Sequence, residues 1–411
     1  MQQSLNKYRP LVAGAVIQLC IGIIYIWSIF KAPVVAHYSQ YVPAESAELF
    51  SSMTYSIMLA LFVVGIIVGG RWGDKKGPRP VVLTGGLMFV GGILLSAASA
   101  AFAPSAPWLL CVFYGGVAGF GVGAAYTSTI SCAQKWFPDK KGFATGVIVC
   151  TFGASTVIFT PLVNYLLAQV GVSQTFLTLA LIYVVVILVF VWFVKNPPEE
   201  YIKQFAVTSP ALAHKKQYTP SEVLRTKQYY MLLFSMMLLT TAYFILNPRF
   251  KLLAEERNLA EAAALASVMV TGIASACGRL IAPWLSDRIG RKGVVLLLFA
   301  ISIAAVLLLI IAQGYFYMVL VALVAFAFGG SAGTYPAISA DYFGTKHAGV
   351  NYGLVMIGFA ASALIFPTIT SAVNTGGGVT SILTFIIPAI ACVAGVFVTL
   401  AFRPPAEKQA Q

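Results

Sequence analysis

Two short loops, GDKKGPR (residues 73–79) and SDRIGRK (residues 286–292), read alike. Each carries an Asp (Asp74, Asp287), basic neighbours and a Gly three residues after the Asp (Gly77, Gly290), and each follows a long apolar stretch. The two Asp lie 213 residues apart in a chain of 411. One loop later in each half, KWFPDKKGFATG (135–146) and DYFGTKHAGVNYG (341–353) share an aromatic pair, a basic turn and a returning Gly, 206 residues apart. One such loop is ordinary basic-turn chemistry. Two pairs at matching positions indicate a duplicated unit, the usual construction of alternating-access carriers.

The chain around these loops is 59% hydrophobic and 9% charged, whereas charged residues make up roughly 25% of a soluble protein. The charges cluster, leaving twelve apolar stretches, each about long enough to cross a ~30 Å hydrocarbon core as a helix. They cover residues 11–31, 50–70, 79–102, 107–133, 142–166, 172–194, 228–248, 262–285, 293–313, 315–340, 348–372 and 380–402. Backbone in lipid must satisfy its own hydrogen bonds, so the expected fold is an all-α integral membrane protein. Residues 195–227, beginning KNPPEEYIKQF, form the longest connection. It is expected to be a cytoplasmic linker between two pseudo-symmetric six-helix bundles, residues 1–194 and 228–411.

A net charge of +13 raises the prospect of a nucleic-acid partner, but the positions of the charges argue otherwise. Of 26 Lys and Arg, 21 lie in the two tails or in the loops after spans 2, 4, 6, 8 and 10. Lys31, Arg249, Lys251 and Arg257 fall on the opposite side. This bias puts both termini in the cytoplasm of a multi-pass protein of the cell (inner) membrane, with lipid and no nucleic acid as its surroundings. The first apolar stretch runs into FKAPVV without a cleavage pattern and reads as the first span. All six Cys fall in spans, where they read as small buried packers rather than disulfides.

Twelve spans in six-plus-six form, with D-x-x-G basic loops after spans 2 and 8, resemble the major facilitator superfamily over nearly the whole chain. Within it, GIIYIWSIF (22–30), KWFPDKKG (135–142), GRLIAPWLSDRIGR (278–291) and DYFGTKHAGVNYG resemble the oxalate/formate antiporter family and the related monocarboxylate transporters.

Arg279 is the only Lys or Arg inside a span. It precedes Asp287 by eight residues, which at ~1.5 Å per residue puts it roughly 12 Å above the loop. A cation at that depth costs a few kcal/mol and marks a functional site facing protein or a water-filled cavity. None of the 13 Asp and Glu lies deep in a span, so the expected counter-charge is a bound anion, gripped by two parallel hydrogen bonds if it is a carboxylate. The alternative, an arginine capping helix carbonyls or snorkelling to the headgroups, needs a reach of 12 Å. The resemblance implies the same role, because Arg279 aligns with the family's substrate-binding arginine. It also implies a second cation, a lysine in helix 11 of the oxalate antiporter, where this chain has Phe359. One fixed charge fits a monoanion such as lactate, pyruvate or formate better than oxalate.

Depth counted from the loops brings Tyr126, Phe152, Phe328, Ser331, Tyr335, Phe359 and Tyr25 near the level of Arg279 as candidate lining. A carboxylate with a short apolar tail needs one cation, a hydroxyl or two and an apolar wall. For each of these aromatics the alternative is packing. Gly115, Gly119 and Gly123, like Gly65 and Gly69, recur every four residues as close-packing positions. Asp74, Arg79, Asp287 and Arg291 are expected to latch helix ends, or else to be solvated turn residues. His37, His214 and His347 are dispersed, so no metal or cofactor is expected.

The expected function is secondary transport of a small monocarboxylate, bound at Arg279 and exposed alternately to either side by a monomer. Animal monocarboxylate transporters carry an acid one turn before this arginine, where this chain has Ser275, so proton symport and anion exchange both stay open. An anion at Arg279 offsets the cost of carrying the charge through a closed state, which favours exchange over net flux. A dicarboxylate exchanger of the oxalate/formate type and a non-transporting carboxylate sensor are the rival readings. No nucleophile, base and acid converge in any motif, so no enzymatic activity is expected.

Overall fold

The structure, a computed structural model, describes residues 6–201, 216–257, 259, 261–373 and 381–403. Among these residues there are helices and no strands. The first half contains α1 (Tyr8–Ile21), α2 (Trp27–Tyr38), α3 (Ala44–Lys76), α4 (Pro78–Phe102), α5 (Trp108–Leu110), α6 (Gly119–Trp136) and α7 (Lys141–Phe190). The second contains α8 (Pro220–Val223), α9 (Lys227–Leu246), α10 (Phe250–Glu256), α11 (Glu261–Ile289), α12 (Arg291–Leu308), α13 (Gly314–Phe343), α14 (Ala348–Val373) and α15 (Leu383–Leu400). Each expected span overlaps these helices, and among the described residues nine helices are long and apolar enough to cross a membrane, ten if the broken first pair is one span. The first is broken, with a 3-10 turn at Gly22–Ile26 between α1 and α2. The fifth and sixth share α7, which breaks at Gly171, where φ is 74°. A π-helical stretch, Cys111–Ala118, links α5 to α6.

The repeated loops acquire a physical reason here. Gly77 ends α3 at φ 87° and Gly290 ends α11 at φ 88°, a region that a Cβ disfavours. The Gly three residues after each Asp is therefore the residue that lets the chain reverse into the next helix.

The chain divides into two compact units. The first comprises Met1–Pro138, Thr151–Pro210 and His347–Gly353; the second comprises Asp139–Cys150, Ala211–Lys346 and Leu354–Gln411. Each unit thus takes in one short helix start encoded by the other half of the sequence. Within the second unit an apolar core gathers Ala242, Leu246, Phe250, Val306, Tyr317 and Val324 from α9, α10, α12 and α13. Arg257, read from the sequence as a loop cation, turns into this core instead and is 9% exposed. Its Nη2 donates to the Leu309 carbonyl at 2.7 Å, one of the acceptors that the end of α12 leaves over, and the guanidinium lies over the Tyr317 and Phe385 rings. At the described end of the linker, Thr219 and Glu222 form a capping box that starts α8. The Thr219 backbone N–H, with Lys216 and the Thr219 hydroxyl, holds the exposed Glu222 carboxyl down at about 2.

Candidate substrate-binding site

The second unit carries Arg279 on α11, and glycines fix what surrounds it. A Cβ on Gly329 of α13 would collide with the Ser275 carbonyl, and one on Gly333 with the Arg279 carbonyl. Helices α11 and α13 therefore run together, backbone on backbone, in a register that sets 275 against 329 and 279 against 333. On another side Gly146 of α7 abuts the Arg279 and Leu280 carbonyls and Pro283, and Gly142 abuts the Pro283 carbonyl. Two helices thus close on α11 at the level of Arg279, which is 2% exposed.

The carboxylates of Asp287 and Asp341, near the ends of α11 and α13, are engaged elsewhere. Asp287 accepts from the Gly142 and Phe143 N–H groups at 3.0 and 2.9 Å and pairs with Arg291 at 2.7 Å. Arg291 also reaches Asp341 at 2.7 Å, and Lys141 completes the cluster with Asp341 at 3.0 Å. The cluster places a carboxylate on the free N–H groups of the start of α7, as the helix dipole favours.

The first unit holds the counterpart. Asp74 accepts from the Gly349 and Val350 N–H groups at 3.5 and 3.3 Å, with the Lys135 ammonium 4.0 Å away. Its start of α14 is further held by Thr127, whose hydroxyl donates to the Gly349 carbonyl at 3.2 Å. Arg79, expected beside Asp74, departs from the pattern: its guanidinium donates to the Trp192 carbonyl and lies over the Trp192 ring. Pro78 at the start of α4 shifts Arg79 one place from the position of Arg291 relative to the loop Gly, which separates the two arginines in role.

The aromatic candidates fall into two groups. In the first unit Tyr126 packs against Phe62 and Phe152, with ring centroids 5.3 and 4.8 Å away, and those two rings stack on each other at 6.1 Å. In the second unit Phe328 stacks on Tyr243 at 3.8 Å and meets Phe359 at 5.8 Å, and Phe244 meets Phe359 at 5.0 Å and Phe328 at 5.5 Å. The Tyr335 hydroxyl contacts Ser235 at 2.6 Å, and Ser235 contacts Thr399 at 2.8 Å, so it ties α13 to α9 and α15. Ser331 donates to the Phe328 carbonyl of its own helix. The side chain of Tyr25 lies outside the described residues, as does His214. His37 bonds the Ala100 carbonyl at 3.0 Å.

Sequence reasoning missed Gln18, which is fully buried. Its amide donates to the Tyr126 carbonyl at 3.1 Å and to the Thr129 hydroxyl at 2.6 Å, pinning the turn that presents Tyr126. The signal was available, since Gln18 is the one amide in the stretch 11–31. Phe62, Tyr243 and Phe244 were missed as well, because depth counting from a loop says nothing of which face a ring occupies.

Comparison with known proteins agrees with this fold. The sequence profile of the Major Facilitator Superfamily matches residues 12–337 and 232–411. The "Uncharacterized MFS-type transporter YhjX" of Escherichia coli (strain K12) is 27% identical over 364 residues, covering 87% of this chain and 86% of that protein. The "Oxalate:formate antiporter" of Oxalobacter formigenes is 28% identical over 405 residues, covering 94% and 91%. Among solved structures, the transporter FucP in its outward conformation superposes with a TM-score of 0.73 at 15% identity, over 98% of this chain and 100% of its own. With the profile spanning both halves and the helices in place, the chain belongs to the Major Facilitator Superfamily and is a multi-pass membrane transporter.

Proposed function

We propose that this protein is a secondary carrier of small monocarboxylates, working as a monomer by alternating access in the cell membrane, with both termini cytoplasmic. The observation that carries the reading is Arg279: the one Lys or Arg away from the ends of the apolar spans, 2% exposed, at the level where α7 and α13 close on α11. A guanidinium in low dielectric is a strong ligand for one carboxylate. Phe359 brings an uncharged ring to the helix where the family resemblance implies a second cation, which favours a monoanion over oxalate. Tyr126, packed against two rings and steadied by Gln18, is the first unit's own candidate for lining the pathway. The carboxylate caps at Asp74 and Asp287 supply helix starts that are held and released as the carrier cycles.

The test is uptake of labelled lactate, pyruvate, formate and oxalate into proteoliposomes, with and without a pH gradient. Monocarboxylate uptake is expected, falling at least about tenfold in Arg279→Ala, the loss of a charge-assisted pair. Uptake that survives that substitution overturns the reading. The "Oxalate:formate antiporter" relative supports the rival reading of a dicarboxylate exchanger, and oxalate uptake exceeding that of every monocarboxylate would establish it. A dependence on the pH gradient distinguishes proton symport from exchange.

A further inference from the structure

Four rings in the second unit lie together: Tyr243 and Phe244 near the end of α9, Phe328 on α13 and Phe359 on α14. Phe328 and Phe359 are buried, while Tyr243 and Phe244 are half-buried. Tyr243 packs against the apolar core of Ala242, Leu246, Phe250 and Val324, which the rings extend along α13 toward the arginine.

The register of α11 and α13 gives the offset along the helix axis. Gly333 stands against the Arg279 carbonyl and Gly329 against that of Ser275. Phe328 precedes Gly333 by five residues, so at ~1.5 Å per residue it lies roughly 7–8 Å from the level of Arg279, on the side away from Asp287. A formate or an oxalate held by the guanidinium ends well short of that distance. A carboxylate with a few carbons or a phenyl ring behind it spans the gap and places its tail against the rings, where aromatic faces favour apolar and aryl groups.

We propose that the substrate is a monocarboxylate with an apolar tail of branched-alkyl to phenyl size, its carboxylate at Arg279 and its tail against Tyr243, Phe244, Phe328 and Phe359. This rests on the carboxylate-carrier reading and narrows it, placing formate and oxalate among the poor ligands.

The experiment measures ligand-induced thermal stabilisation of the purified full-length protein in detergent across formate, acetate, propionate, butyrate and phenylacetate, with phenylacetamide as the uncharged control. Affinity is expected to rise about fourfold for each added methylene and to be highest for phenylacetate, with phenylacetamide giving no shift. In Phe359→Leu and Phe328→Ala the ratio of phenylacetate to formate affinity is expected to fall at least tenfold. Should these variants fail to fold, the wild-type series alone decides. A flat series that still depends on Arg279 overturns the tail assignment and leaves the carrier reading standing. Stabilisation matched by phenylacetamide is adsorption to apolar surface and likewise overturns the assignment. Equal stabilisation of wild type and Arg279→Ala by every acid overturns the underlying reading instead.

Discussion

Arg279 and Tyr335 lie on neighbouring helices at similar depth, yet their polar groups serve different ends. In the proposed reading the guanidinium, a charge within an apolar span, receives the substrate's carboxylate. The Tyr335 hydroxyl is spent on Ser235, and through it on Thr399, joining three helices of one unit in a buried network. Removing one member of such a network costs about 1–2 kcal/mol, chiefly through the partner left less well satisfied. Tyr335→Phe is accordingly expected to lower the apparent melting temperature of the purified protein, and an unchanged melt would show the network to be inert. Arg279 was legible in the sequence because a lone charge among apolar residues stands out at any resolution of reading. Tyr335 was legible as a deep hydroxyl, but its direction was not, since which face of α13 meets α9 depends on packing.

At the level of elements, the two loop Asp act as N-caps for helices encoded in the opposite half of the sequence, but they are unequally built. Asp287 accepts two N–H groups at 2.9–3.0 Å and sits in a cluster with Arg291, Asp341 and Lys141. Asp74 accepts at 3.3–3.5 Å with Lys135 at 4.0 Å. The shorter bonds and the denser cluster make the Asp287 cap the stronger of the two, and a cap of this kind is worth about 0.5–2 kcal/mol. Asp287→Asn is therefore expected to speed amide hydrogen exchange in peptides covering Lys141–Gly146 more than Asp74→Asn speeds it over Ala348–Tyr352. The same or the reverse order would mean that the clustered charges add nothing to the cap. The sequence disclosed both Asp and the glycines that end their helices, because the D-x-x-G spacing is local. It did not disclose their acceptor role, because the N–H groups they receive lie 145 and 275 residues away.

For the whole molecule, the cost of carrying Arg279 through a closed state bears on how transport runs. In the proposed reading a carboxylate travels with the guanidinium and offsets part of that cost, so the loaded carrier is expected to reorient faster than the empty one. Efflux of labelled substrate from proteoliposomes should then rise severalfold when unlabelled substrate is added outside, and equal rates with and without it would contradict this. The sequence by itself determined the class of fold, the twelve spans, the duplicated halves and the buried cation, because hydropathy, charge bias and turn glycines are written in short windows of residues. Only the tertiary structure decided that Arg79 turns to Trp192, that Arg257 folds into an apolar core, that Gln18 holds the Tyr126 turn, and that four rings from α9, α13 and α14 gather in the second unit. Those outcomes depend on which faces of distant helices meet, and the close approach of backbones at glycine, rather than any local propensity, sets that register.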